Sequence, residues 1–225
     1  MEGFTGKITI QVNEKVYLKR PDSSKLGQKI ISGSIDLLDE IGFEDFTFKK
    51  LASEISSTEA SIYRYFTCKH NLLVYLILWY WGWQEYRLIL ATTNIEDPKL
   101  RLQKALKVLI EKTEKDSTFS QVDEVKLNRI VISESGKAYF NKSVDEENKL
   151  GFYRQYKDVV QRVADIILEI NPNHKYPHML VSTVIGGAQN QRFFAEHIPT
   201  LTDVIKGEDT VTDFYSNLVF KELEV

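Results

Sequence analysis

Within the twenty residues from Thr47 to Phe66 the apolar pattern starts, breaks and restarts, and no single long helix or strand can follow it. Thr47 is a good N-cap for a helix in which Phe48, Leu51, Ala52 and Ile55 fall at i, i+3, i+4 and i+7, so that Lys49 and Lys50 point away from the apolar face. Ser56-Ser57-Thr58 interrupts the period, and Thr58 can cap a second short helix from Glu59 to Phe66. This is the spacing of a helix-turn-helix. At 100° per residue Ile62 and Phe66 point the same way, into a core, and Ala60, Ser61 and Arg64 take the opposite face.

That outward face has the chemistry of a major-groove reader. Arg64 can bond guanine O6 and N7 or grip a phosphate, Ala60 permits close approach to a thymine methyl, and Ser61 and Glu59 can bond base edges or backbone. Tyr63 and Tyr65 flank it, with hydroxyls suited to phosphate oxygens. Thr47, at one helix N-terminus, and Lys69, near the next, would also position the chain on phosphates. On spacing alone, two short amphipathic helices inside a bundle fit equally well.

Charge does not decide between these readings. Net charge is −3, and residues 1–87 hold 11 basic and 11 acidic side chains, so any affinity for nucleic acid must come from local placement of a few cations. With 43% hydrophobic and 27% charged residues, the composition is that of an ordered globular chain. A single cysteine, Cys68, allows no intrachain disulfide and no cysteine metal cluster. The absence of a signal-like N-terminus and of a long uncharged apolar run predicts a cytoplasmic protein with no membrane partner.

The rest of the chain reads as all-α. Ser23 or Ser24 caps a helix carrying Leu26, Ile30, Leu37 and Ile41 on one face, which Gly42 ends. A long aromatic helix is expected from about Lys69 to Thr92. Further helices are expected from Pro98 to about Lys115, Val122 to Ser133, Val144 to Ile170 as one long element, Pro177 to about His197, and from Asp209 onward. Before all of these, residues 7 to 19 alternate Ile8, Ile10 and Val12 ahead of Asn13-Glu14, which suggests a small β-hairpin arm leaning on the helical body. The arm is locally basic and could touch an adjacent groove or simply cover the bundle.

The residues Thr47-Phe48-Lys49-Lys50-Leu51-Ala52, Thr58, Ala60-Ser61-Ile62-Tyr63-Arg64-Tyr65-Phe66, Lys69 and Leu72, preceded by Ile41-Gly42-Phe43 and Phe46, resemble the N-terminal signature of the TetR family. The resemblance covers about residues 25 to 75. It departs from the family pattern at Ser56 and Ser57, where glycine and a small apolar residue are usual, and at His70, where an acidic residue is common. It implies an arm over 1–22, a three-helix helix-turn-helix DNA-binding domain over 23–75, and a helical effector-binding and dimerisation domain over 76–225.

The candidate DNA-contacting residues are therefore Thr47, Lys49, Thr58, Glu59, Ala60, Ser61, Tyr63, Arg64, Tyr65 and Lys69. The implied partners are an operator duplex, a second copy of the chain and a small-molecule effector, with family members acting mainly as repressors. In the C-terminal region, Trp79, Trp83 and Tyr86 belong to an aromatic concentration too wide for one helix face, which is either ordinary core or a pocket lining. Gln189 is a candidate polar contact there. Gly186-Gly187 fits close helix approach in a dimer interface or a break beside a ligand. His174 and His178 lack the partners for a metal site, no cofactor is implied, and no catalytic constellation is present, so an enzyme is not expected. The alternative function is a helical protein-binding module that keeps the fold without operator binding.

Overall fold

Side-chain caps set where the helices begin. In the computed structural model, which describes residues 9–116, 122–205 and 207–223, the Ser24 hydroxyl accepts the Gly27 N–H and opens α1 (Lys25–Asp45). Thr47 caps α2 (Phe48–Glu54) through the Lys50 N–H, and Thr58 caps α3 (Glu59–Tyr63) through the Ser61 N–H. The long α4 (Lys69–Thr92) follows. Asp97, Asp123 and Asp209 cap α5 (Pro98–Ile110), α6 (Glu124–Tyr139) and α10 (Thr210–Glu222) in the same way. Between them lie α7 (Val144–Lys149), α8 (Arg154–Ile170) and α9 (Pro177–His197). Every regular element among the described residues is helical, as the all-α reading requires.

Three sequence expectations are corrected. No strand forms in the described part of the expected hairpin, and Lys7 and Ile8 lie outside the described residues. Glu14–Val16 and Pro21–Ser23 are instead 3-10 turns, the first capped by the Asn13 side chain accepting the Lys15 N–H. Asn13-Glu14 supplies no glycine for a tight primed turn, and the 3-10 geometry lets both Val12 and Val16 bury. The single helix expected from Val144 to Ile170 is two, α7 and α8. Gly151 adopts φ +81° between them, and its N–H and that of Phe152 return to the Asn148 and Glu147 carbonyls, the left-handed closure that ends many helices. Finally, α5 stops at Ile110 rather than near Lys115.

Contacts gather into two compact units, one of residues up to Gly82 with Thr113–Phe152, the other of Trp83–Lys112 with Tyr153 onward. In the first, Ile30, Ile35, Phe46, Leu51, Ile62, Phe66 and Leu72 are essentially inaccessible, each contributing about 1.5–3 kcal/mol by burial. Helix α6 lies along α1, held by Lys126 to Asp36 at 2.5 Å and Arg129 to Asp39 at 2.8 Å. Glu134, nearly buried, accepts the Phe43 N–H at 3.0 Å, beside Gly42 at φ +71°, where the helical path of α1 breaks.

In the second unit α8 packs on α5 and α9, and α10 on α5 and α9. Helix α9 runs unbroken through Gly186-Gly187, so the reading of a break beside a ligand does not hold. A Cβ on Gly187 would stand 2.2 Å from the Tyr215 hydroxyl of α10, whereas one on Gly186 would meet open space.

Candidate nucleic-acid interface

The helix-turn-helix is built on one small core. Ile62 and Phe66 of the α3 region are fully buried with Leu51 and Phe46, and the Phe46 and Phe48 rings meet edge to face at 6.4 Å. The turn between α2 and α3 places Ser56 at φ +52°, the left-handed conformation in which glycine costs least. The Ser57 N–H closes the turn on the Ala52 carbonyl at 2.8 Å. Ser56, where the family usually has glycine, thus adopts the left-handed conformation and stores strain in the turn.

Thr58, Glu59, Ala60 and Arg64 are exposed together, as the wheel predicted, with Ser61 half-buried and its hydroxyl 2.8 Å from that of Thr58. Tyr63 is 47% exposed, its ring edge-on to Phe48 at 5.0 Å. Thr47 and Lys49 are exposed at the start of α2. These exposed side chains carry cationic, hydroxyl and small groups together with the Glu59 carboxylate, a set able to enter a groove and bond its edges.

Two expected members leave that surface. Tyr65 is 2% exposed, with its hydroxyl 2.7 Å from that of Ser24; it lies three positions after Ile62 and so shares the inward face. Lys69 donates from Nζ to the carbonyls of Phe43, Glu44 and Phe46 at 2.9, 3.0 and 3.1 Å, and its ammonium lies 4.6 Å from the Phe43 ring centre. It caps the end of α1, and its ammonium is already engaged by three carbonyls.

The sequence reading did not find this use of Lys69, because a lysine before an α-helix looks alike in either role. Nor did it find the ionic row between α6 and α1, whose partners are ninety residues apart. His70 pairs with the largely buried Glu147 at 2.6 Å. This links the start of α4 to α7 at the position where the family commonly has an acid. Arg20 is tied to Asp22 by two bonds of 2.7 and 3.0 Å, which raises its pKa.

Residues 30–76 match the model for bacterial regulatory proteins, tetR family. The match runs from within α1, through the helix-turn-helix, into α4. Its fold is similar to that of AibR in complex with isovaleryl coenzyme A and operator DNA, at TM-score 0.61 and 14% identity, over 86% of this chain and 98% of that one. It is likewise similar to the TetR-family transcriptional regulator PfmR from Thermus thermophilus, at 0.59 and 16%, covering 85% and 97%. The ketosteroid transcriptional regulator KstR2 of Mycobacterium tuberculosis aligns at 0.56 and 13%, covering 96% of each chain. These structural likenesses carry the fold. No curated protein matches the chain in sequence. Among the described residues, no helix is long and apolar enough to cross a membrane.

The candidate effector residues divide between the two units. Trp79, 8% exposed, belongs to the first; Trp83, 1% exposed, half-buried Tyr86 and half-buried Gln189 belong to the second. Arg87 lies 4.7 Å from the Trp83 ring and bonds Glu111 at 2.6 Å and Gln84 at 3.2 Å. Arg192, three residues beyond Gln189, donates to the Ile110 carbonyl at 3.0 Å and to Asp209 at 2.9 Å. That guanidinium joins α9 to the end of α5 and the start of α10. Burial alone would raise the Asp209 carboxyl, but bonds from Thr212 and Arg192 outweigh it and hold the group below the usual range.

Proposed function

We propose that this chain is a dimeric, sequence-specific regulator of transcription in the cytoplasm, most simply a repressor, whose grip on an operator is set by a small-molecule effector and which catalyses no reaction. The observation that carries the reading is the exposed Ala60–Arg64 face mounted on the buried Ile62 and Phe66. Thr47, Lys49, Thr58, Glu59, Ala60, Ser61, Tyr63 and Arg64 are its DNA-contacting set. Residues 23–75 read DNA, and 76–225 bind the effector and dimerise, with Trp79, Trp83, Tyr86 and Gln189 near the effector.

Dimerisation is supported by α9 and α10, which leave Met179, Phe214 and Leu218 exposed at 65%, 59% and 41%. Isolated apolar residues at the surface need no explanation, but three on the outer sides of two packed helices favour a second copy. Two recognition helices set one groove repeat apart, roughly 34 Å, would read two half-sites. An effector that prefers a different spacing then releases the operator. The AibR complex, which holds an acyl coenzyme A and operator DNA together, supports control of this kind.

The test is a fluorescence-polarisation titration of the protein against the DNA upstream of its own gene and against an unrelated duplex. Preference for the upstream DNA is expected; equal affinity for both would overturn the reading.

A further inference from the structure

The stretch from Leu18 to Lys25 closes over the C-terminal end of the recognition helix. The Leu18 N–H donates to the Tyr65 carbonyl at 2.8 Å, the Lys19 ammonium lies 5.2 Å from the Tyr65 ring centre, and the Ser24 hydroxyl meets the Tyr65 hydroxyl. These three contacts converge on one aromatic residue and take it out of solvent. A duplex approaching this end of α3 therefore meets the arm instead of Tyr65.

The arm and the first turn of α1 present an outward surface that carries two lysines. Leu18 is 63% exposed, and Lys19 and Lys25 are both exposed. Neither lysine has a carboxylate partner among the described residues, in contrast to Arg20, which Asp22 holds. Tyr65 directly follows Arg64 in the chain, so Lys19 rests on the residue next to the reading face. An element beside a recognition helix meets the phosphates that border the groove. A lysine already resting on an aromatic face has less rotamer freedom to lose when it grips one.

We infer that Lys19, with Lys25 at the first turn of α1, is a phosphate clamp, and that Lys19 extends the DNA interface from the helix-turn-helix domain onto the N-terminal arm. The clamp occupies the place the sequence reading gave to Tyr65, and it supplies the cation that Lys69 does not. The inference rests on the operator-binding reading above and adds a second, sequence-independent contact to it. Its signature is ionic: each phosphate neutralised contributes about 0.9 to the slope of log affinity against log salt.

The test measures operator and unrelated-duplex affinity between about 50 and 200 mM salt for the full chain and for Lys19→Gln, Lys19→Arg and Arg64→Ala. Lys19→Gln should weaken both duplexes by the same factor and lower the slope by about one per half-site, with Lys19→Arg restoring both. Arg64→Ala should instead reduce the preference between the duplexes. An unchanged slope in Lys19→Gln, whether affinity holds or falls, overturns the clamp and leaves the arm as a cover for Tyr65. If the unmodified chain shows no preference for the operator, it is the function proposed above that fails, a result distinct from any behaviour of Lys19. Thermal unfolding of each variant, expected to match the parent chain, separates lost contact from lost fold.

Discussion

The Lys69 ammonium donates to the Phe43 carbonyl at 2.9 Å while lying over the ring of the same residue at 4.6 Å. One side chain thus stops α1 and starts α4, since it also holds the Glu44 and Phe46 carbonyls. Hydrogen bonds to a charged donor each contribute more than neutral ones, and water at this half-buried site screens part of that gain. Lys69→Ala should lower unfolding free energy by about 1–2 kcal/mol in urea titration. The ratio of affinities for operator and unrelated DNA should stay as it is, because Lys69 reads no base.

Arg64 behaves oppositely. It is exposed at the end of α3 and contributes nothing to the core. Its replacement by alanine should leave the urea midpoint in place and cost about 1–3 kcal/mol of discrimination at one base pair of each half-site. A binding survey over single-base operator variants reads this directly.

Ser56 carries a left-handed φ of +52° in the turn between α2 and α3. Glycine removes the Cβ conflict, about 1 kcal/mol, and gives part of it back through the freedom of the unfolded chain. Ser56→Gly should therefore stabilise by about half a kcal/mol, seen as a small rise in melting temperature with operator affinity retained.

Glu124 is inaccessible at the start of α6, and burial pushes its carboxyl up despite hydrogen bonds from its own backbone and the Asp116 N–H. The nearby Asp116 and Asp123 push it further in the same direction. The folded chain thus holds this proton more tightly than the unfolded chain, and stability falls as pH rises above about 4.5 towards the folded value. Glu124→Gln, which can still accept from Asp116, should raise the melting temperature more at pH 8 than at pH 4.5. An equal change at both pH values would contradict the assignment.

The two glycines of α9 should respond differently. At Gly187 a methyl group collides with the Tyr215 hydroxyl at 2.2 Å, and overpacking of this kind costs about 1–3 kcal/mol. At Gly186 nothing in the protomer stands within 4 Å. Alanine there gains up to about 1 kcal/mol of helix propensity in a monomeric protomer. In a dimer that packs on this face, Gly186→Ala instead weakens association, which analytical ultracentrifugation at several concentrations reports.

What the sequence made legible followed from local rules. The caps at Thr47 and Thr58, the helix starts at Pro98 and next to Asp209, and the split of inward Ile62 and Phe66 from outward Ala60 and Arg64, depend on near neighbours, and the structure has them as read. Tyr65 went astray although its i+3 relation to Ile62 was available, because its hydroxyl suggested a phosphate and its partner Ser24 lies 41 positions earlier. The break at Gly151 was also visible in principle, as a glycine with the apolar Leu150 and Phe152 around it. The clasp of Lys69 on three carbonyls and the grip of α6 on α1 were not, since which cation meets which oxygen is decided by packing between distant segments.

The bonds from Lys126 to Asp36 and from Arg129 to Asp39 join residues ninety positions apart. During synthesis, a ribosome that has delivered all of α1 to α3 has therefore delivered the proposed DNA-reading surface before its supporting brace exists. Pairings between such distant residues are slow to close, and chains released domain by domain expose incomplete cores while they wait. Competence to engage an operator should arrive late, with α6, and a nascent chain truncated before Glu124 should neither protect its α1 amides from exchange nor hold DNA.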